Sequence, residues 1–426
     1  MSYRFLLTSW GTLGNLSPLL TAGRRLRRHG HHVRVMADPA MRGEVEAADF
    51  EFMAWRRAPV GAAADPTDIA DLQDWLRRAV FEPCPAYAAD VRDEIGRTPT
   101  DAVLSLDILI GAALGAEASD VPCALLSPHI SLRALPGMPP PASGLGQPKT
   151  PEERLAVEAA GAGWVAMWNE FLPNLNRVRT EFGLPTLADV MQVFDRADRL
   201  LLGTSQAFDF QADSLPANFR YVGPLLDVPA WSKSWQAPWS GPRDRRSVLI
   251  TGSTGAQGQR DLVQRIIDAV GTLEIDAVVT AGPNLDVAEL RAPKNVHVLP
   301  GAPHDAIMKE VSLVISQGGH GTVARALINA LPQLVLPMGR DQSDNGARVD
   351  ARGAGLRLAP TASEADIAAA IMRLLTEPQY KAAARKLGEA IRADMESSGL
   401  VREMEAIAAT RPAGQHPVKQ QRRATA

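Results

Sequence analysis

Leu313-Val314-Ile315-Ser316-Gln317-Gly318-Gly319-His320-Gly321-Thr322 reads as an apolar strand running into a glycine turn, with a helix Val323–Ala330 opening after it. Glycines let a backbone approach a ligand closely. A helix start offers unpaired N–H groups and the positive end of the helix dipole. The combination suits a phosphate or diphosphate; the bland alternative is a tight strand-to-helix turn. It is neither a P-loop, since no Gly-Lys-Ser/Thr follows, nor G-x-G-x-x-G. Strand, turn and helix in this order form the unit of a parallel α/β sheet.

Working downstream, Gln333–Leu336 is another strand. It ends at Pro337-Met338-Gly339-Arg340-Asp341-Gln342-Ser343-Asp344-Asn345. A carboxylate beside an amide, here Asp341 and Gln342, can accept from and donate to the vicinal hydroxyls of a sugar. Taken alone, Asp341 is more commonly a helix cap. Working upstream, Ser247–Thr251 is a strand, Gly252–Gly258 its turn and Arg260–Gly271 its helix; Ala277–Thr280 and Val296–Leu299 add strands. The first half of the chain opens in the same way. Arg4–Ser9 is a strand, Gly11–Ser17 a turn and Pro18–His29 a helix, with Pro in its first turn. His32–Ala37, Ala102–Leu106 and Pro122–Ser127 are further strands, and Ile108–Ala118 a helix.

The expected fold is therefore α/β, with two Rossmann-like doubly wound domains facing a central cleft, where ligands bind in such folds. The expected domains are residues 1–224 and 247–395. A linker at 225–246, rich in Pro, Trp and Ser, joins them. A C-terminal helix at 396–414 returns to the first domain, and a polar, basic tail at 415–426 is disordered.

Composition narrows the function. The 426 residues are 46% hydrophobic and 22% charged, which excludes disorder as the main state. A net charge of −3 gives no global basic field for nucleic acid. Cys84 and Cys123 are the only cysteines, which excludes a disulfide scaffold and a Cys-based zinc site and suits a cytoplasmic protein. No signal peptide and no spanning apolar run are read. Arg24, Arg25, Arg27 and Arg28 with His29, His31 and His32 form a solvated helix face, or at most a peripheral contact with anionic lipid. Trp10, Trp55, Trp75, Phe81, Trp164, Trp168 and Phe171 concentrate in the first half. Trp164 and Trp168, at i and i+4, suit either a pocket wall or plain core packing.

The run S-Q-G-G-H-G-T-V…L-P-M-G-R-D-Q-S-D-N resembles the nucleotide-sugar-binding region of the family 1 GT-B glycosyltransferases. Gly11-Thr12-Leu13-Gly14-Asn15-Leu16-Ser17-Pro18 is similar to that family's first loop, and Ala302-Pro303-His304 to its base-binding loop. The resemblance implies inverting, metal-independent transfer of a hexose. The donor is a UDP- or dTDP-linked sugar, the acceptor a hydrophobic small molecule, and no cofactor takes part. Gln317, Gly319, Gly321 and Thr322 would hold the diphosphate, helped by Ser253, Thr254 and Gly255. Asp341 and Gln342 would hold sugar hydroxyls with His320 near them, and Ala302 and His304 would take the base. Trp10, Thr12, Trp75, Trp164 and Trp168 would face the acceptor. A monomer or homodimer is expected.

Three positions depart from the family. Asn15 stands where a His or Asp base is usual, and an amide does not titrate. Gln317 replaces a phosphate-binding His, and Gly301 a position often aromatic. Asp107 matches the carboxylate that usually orients the His, and can itself serve as base, directly or through one water; otherwise it caps the helix from Ile108. His129 is the reserve base. The alternative function is a nucleotide-sugar-binding protein without catalysis.

Overall fold

The computed structural model describes residues 1–59, 69–226, 235–239, 245–252 and 258–410. The first domain carries a seven-stranded parallel sheet of β1 (Arg4–Thr8), β2 (His32–Ala37), β3 (Glu51–Ala54), β4 (Ala102–Leu106), β5 (Cys123–Ser127), β6 (Arg199–Leu202) and β7 (Phe219–Tyr221). Its order is β3-β2-β1-β4-β5-β6-β7. The second sheet has β8 (Ser247–Thr251), β9 (Asp276–Thr280), β10 (Val296–Leu299), β11 (Leu313–Ser316), β12 (Gln333–Val335) and β13 (Gly355–Arg357), in the order β10-β9-β8-β11-β12-β13. Every residue of β4, β5, β8 and β11 is buried, as expected of parallel strands covered on both faces. In each sheet the winding reverses at one place, between β1 and β4 and between β8 and β11. The crevice at the carboxyl ends of those strands is where such sheets bind ligands.

Four local expectations are corrected. The first helix spans Leu13–Arg28, with Pro18 inside it, so the segment expected as a turn is already helical. Pro18 has no N–H, so the Gly14 carbonyl one turn earlier lacks its helical partner. The break is tolerated because Leu16, Leu19, Leu20 and Leu26 bury the helix face further along. The second correction is that the helix after β11 spans His320–Ile328, beginning at the glycine turn itself. The third is the helix after β4, which spans Ile110–Glu117 with Leu109 at its N-cap and no side-chain cap bond. Asp107 therefore does not cap it. The fourth concerns the basic cluster, which is not a simple solvated face. His31 is buried against the Glu405 carboxylate at 3.0 Å, Arg25 donates to the Ser398 hydroxyl at 2.9 Å, and Arg27 pairs with Asp49.

Those contacts dock the chain's end. After the Pro378–Glu396 helix, the Leu400–Ala408 helix buries Leu400, Met404 and Ile407 beside Leu19 and Leu26 of the first domain. Arg199 donates to Glu403 there at 2.6 Å. Within the expected linker, Leu225 is buried in the first domain, and Trp235 donates to Glu310 of the second at 3.1 Å. Residues 227–234 and 240–244 of that linker and the expected tail lie outside the described residues. Among the described residues, no helix is long and apolar enough to cross a membrane.

Candidate functional site

The two switch points face each other across one cleft of about 340 Å³. The first domain contributes Gly14, Asn15, Ser17, Pro18, Pro128, His129, Leu225 and Leu226. From the second come Thr251, Gly252, Ala302, Pro303, His304, Gln317, Gly319, His320, Gly321, Thr322, Arg325, Arg340, Asp341 and Gln342. The chain thus brings together every donor candidate that is described. Ser253, Thr254 and Gly255 lie outside the described residues.

The glycines of the turn differ in kind. Gly318 has φ +95°, and a Cβ there would stand 2.6 Å from Val335 Cγ1, so packing and backbone both demand glycine. At Gly319 and Gly321 a Cβ would meet nothing within 4 Å. Their bareness keeps the cleft floor open beside the first N–H groups of the His320–Ile328 helix, which have no intrahelical partner. That helix has no acidic residue in its first turn, and neither has the Leu13–Arg28 helix, whose start lines the opposite wall. Both helices therefore point a positive dipole end into the same space.

Asp341 occupies the N-cap position of the Gln342–Ala351 helix, but its side chain makes no cap bond. Its Oδ2 accepts instead from Asn345 Nδ2 at 2.8 Å, and the residue lines the cleft. The Met338 N–H donates to Gln342 Oε1 at 2.7 Å, which fixes the side chain. Gln317 Nε2 donates to Gln259 Oε1 at 3.0 Å, so its donor is held by a neighbouring amide.

Both donor-side histidines are neutral groups here. His304 is buried with Nε2 2.9 Å from the Thr280 hydroxyl. Burial, and then Arg325, push its pKa down to about 4, with Asp305 opposing. His320 Nε2 lies 2.9 Å from the hydroxyl of Thr204, which belongs to the first domain. Burial lowers its pKa to about 4 as well, against the pull of Asp341. The positive charges lining the cleft are Arg325, which pairs with Asp305, and Arg340, held at φ +55° after Gly339. Sequence reasoning missed both. Their signal was the placement of Arg325 on the face of the helix that begins at the glycine turn, and of Arg340 immediately before Asp341.

On the acceptor side, Asp107 is 1% exposed and does not line the cleft, which corrects its expected position in the cleft. Neither carboxylate oxygen finds a well-formed hydrogen-bond partner. Burial raises its pKa, and nearby His129 and the Ser127 hydroxyl offset this only in part. His129 does line the cleft. Its Nδ1 lies 2.6 Å from the Ile130 carbonyl, which can only accept, so Nδ1 carries the proton and Nε2 keeps its lone pair. Asn15 turns its Nδ2 to the Trp10 carbonyl at 3.3 Å.

The tryptophans divide. Trp10 and Trp75 stand with ring centroids 5.7 Å apart. Trp164 is partly buried and donates to the Leu132 carbonyl at 2.9 Å. Trp168 is fully buried among Phe81, Trp164 and Phe194, so it is a core residue and not a pocket wall. Trp10 Nε1 and the Thr12 hydroxyl are buried without partners, like the Thr8 and Ser9 hydroxyls and Asp107. A buried polar atom left unpaired costs about 1–3 kcal/mol. These groups gather at the carboxyl ends of the neighbouring strands β1 and β4. Among the described residues, no three His, Cys, Asp or Glu side chains cluster in the manner of a metal site.

Known proteins resemble this chain in sequence and in fold. Residues 264–407 match the family "Erythromycin biosynthesis protein CIII-like, C-terminal domain". The chain is 26% identical over 410 residues to 4'-demethylrebeccamycin synthase of Lentzea aerocolonigenes, covering 91% of this chain and 95% of that one. It is 31% identical over 227 residues to a PGL/p-HBAD biosynthesis glycosyltransferase of Mycobacterium tuberculosis, covering 52% of this chain and 50% of that one. Among solved structures, the glycosyltransferase of kitacinnamycin superposes with a TM-score of 0.75 at 20% identity, covering 96% of this chain and 99% of that chain. The calicheamicin glycosyltransferase CalG4 superposes with a TM-score of 0.74 at 19% identity, with the same coverage.

Proposed function

We propose that the chain is a GT-B glycosyltransferase of the natural-product type, which transfers a hexose, with inversion and without a metal, from a UDP- or dTDP-linked donor to a hydrophobic small molecule. The observation that carries this reading is the single cleft on which the glycine turn, Asp341–Gln342 and the Ala302–His304 loop meet Asn15 and His129 of the other domain. The diphosphate rests on the N–H groups that start the His320–Ile328 helix, with Arg325 and Arg340 completing its charge balance. Asp341 and Gln342 take sugar hydroxyls, and the base lies along Ala302–His304.

His129 Nε2 removes the proton of the acceptor hydroxyl as its oxygen attacks the anomeric carbon. The bond from that carbon to the diphosphate oxygen breaks on the opposite face, and the nucleotide diphosphate carries away the negative charge. Asp107, buried behind His129 and electrostatically coupled to it, stabilises the imidazolium that forms. This replaces the expectation that Asp107 contacts the acceptor. Asn15 orients by hydrogen bonding alone. The aromatic pair Trp10 and Trp75 holds the apolar body of the acceptor, and Trp10 Nε1 and Thr12 meet its polar end.

The test is incubation with UDP- and dTDP-sugars in the absence of acceptor. Slow release of free sugar from at least one is expected, and no binding of any would sink the reading. A second reading, a binding protein without turnover, draws on the non-titrating Asn15. It gains if Asn15→Asp transfers sugar where the natural protein only binds.

A further inference from the structure

The helix that begins at the sugar-binding candidates also reaches across to the other domain. Asp344 lies on the first turn of the Gln342–Ala351 helix and is 1% exposed. Its Oδ2 accepts from the Ala142 N–H at 2.7 Å and its Oδ1 from the Gly144 N–H at 2.8 Å. Those amides belong to the first domain, in the Pro-rich loop that follows β5. Ala142 has φ +61° and Gly144 φ +60°, and these left-handed conformations turn two N–H groups onto one carboxylate. For Ala142 such a backbone is strained and persists only because its surroundings hold it. The contact is tight: the Gly144 carbonyl accepts from Arg357 at 2.7 Å, and a Cβ on Gly144 would stand 3.0 Å from Ser343 Cβ.

The rest of the loop belongs to the acceptor domain. Leu135 and Met138 are buried in its core, and Gln147 ties the loop's base to Gly137 and Gln211. The loop's root carries His129, and its Leu132 carbonyl holds Trp164. One carboxylate therefore fixes the far end of the segment whose near end carries the proposed base.

We propose that Asp344 is a positioning residue: it latches the acceptor-side loop, residues 128–149, to the turn that reads the donor sugar, so that acceptor binding depends on the docked donor domain. This rests on the sugar-transfer reading for its consequence, though not for the latch itself. With the latch released, the acceptor wall loses its register with the donor. The donor turn keeps its own bonds, because the Asp344 carboxylate is held by the loop amides, whereas Asp341 is held by Asn345 and Gln342 by Met338.

The experiment compares amide hydrogen exchange in the natural protein and in Asp344→Asn, with UDP or dTDP present as the probe. The amides of 142 and 144 should exchange about tenfold faster or more, while β8 and β11 keep their protection. UDP affinity should stay unchanged. With 4-methylumbelliferone as acceptor probe, its KM should rise and a larger share of the donor should be hydrolysed. Unchanged exchange at 142 and 144 overturns the proposal, and so does a parallel loss of UDP affinity. If Asp344→Asn unfolds the second domain, Gly144→Val decides, since it disrupts the same contact from the loop side. Freed loop amides support the latch, and a protected loop overturns it. Absence of turnover in the natural protein would count against the transfer reading alone, because exchange judges the latch without it.

Discussion

His304 and His320 should remain uncharged well below neutral pH, and acid should cost the fold accordingly. Both imidazoles have folded pKa values of about 4 against an ordinary 6.5, chiefly through burial. A base depressed on folding takes its proton more readily when unfolded. Its contribution is thus complete above the unfolded value and is lost as pH falls toward the folded one. The full loss is about 3 kcal/mol per histidine, and about 2 kcal/mol is already gone at pH 5. That is a large part of a typical stability of about 5–15 kcal/mol. Because His320 bonds Thr204 across the cleft, domain docking should weaken along with the second domain. Proton NMR of the eight histidine Cε1–H signals tests this directly. Two signals should stay at the neutral position to about pH 5, and His304→Gln and His320→Gln assign them. If either titrates near 6.5 in folded protein, the burial argument fails. The proposed function has a stake in this, for two uncharged histidines would leave a diphosphate to the backbone and the arginines.

Three further outcomes are expected. Asp341→Ala or Gln342→Ala should weaken a sugar nucleotide by about 1–3 kcal/mol, with free UDP or dTDP hardly affected, as calorimetry on both ligands would show. His129→Gln should lower transfer by about 10²–10⁴ with donor affinity intact, and Asp107→Asn should lower it less; single-turnover rates beside donor Kd check the order. Arg348 and Asp209 form a buried pair at 2.8 Å between the domains, so Asp209→Ala should cost about 3–5 kcal/mol in thermal or denaturant unfolding.

The sequence was most legible where chemistry is local. β8 and β11 are wholly buried, mainly apolar runs that end at glycine-rich segments, and each donor candidate sits within a few positions of a strand's end. Edge strands were not legible. β7 and β13 have three residues each, and β3 is only half-buried, so none offers a periodic pattern to read. β6 escaped for a different reason: its four residues follow so closely on the Gln192–Arg196 helix that they look like its end. On the acceptor side the limit was distance along the chain. That Asp107 is buried near His129, and that Trp168 is core while Trp164 is only partly buried, depends on how separate crossovers pack. Asp344 and Ala142 are 202 positions apart, and nothing local to either announces the other.

The opposed starts of the Leu13–Arg28 and His320–Ile328 helices bear on how the cleft empties. Each presents the equivalent of about half a positive charge, so across an unliganded cleft the two repel. A diphosphate between them turns that repulsion into a shared attraction, and the nucleotide becomes the cement of the two domains. On the sugar-transfer proposal, the leaving nucleotide keeps this role after the sugar has gone. Product nucleotide should therefore hold the two domains together about as well as the donor does. Parting of the domains, and with it the next turnover, then waits on the departure of the nucleotide rather than on that of the glycosylated product.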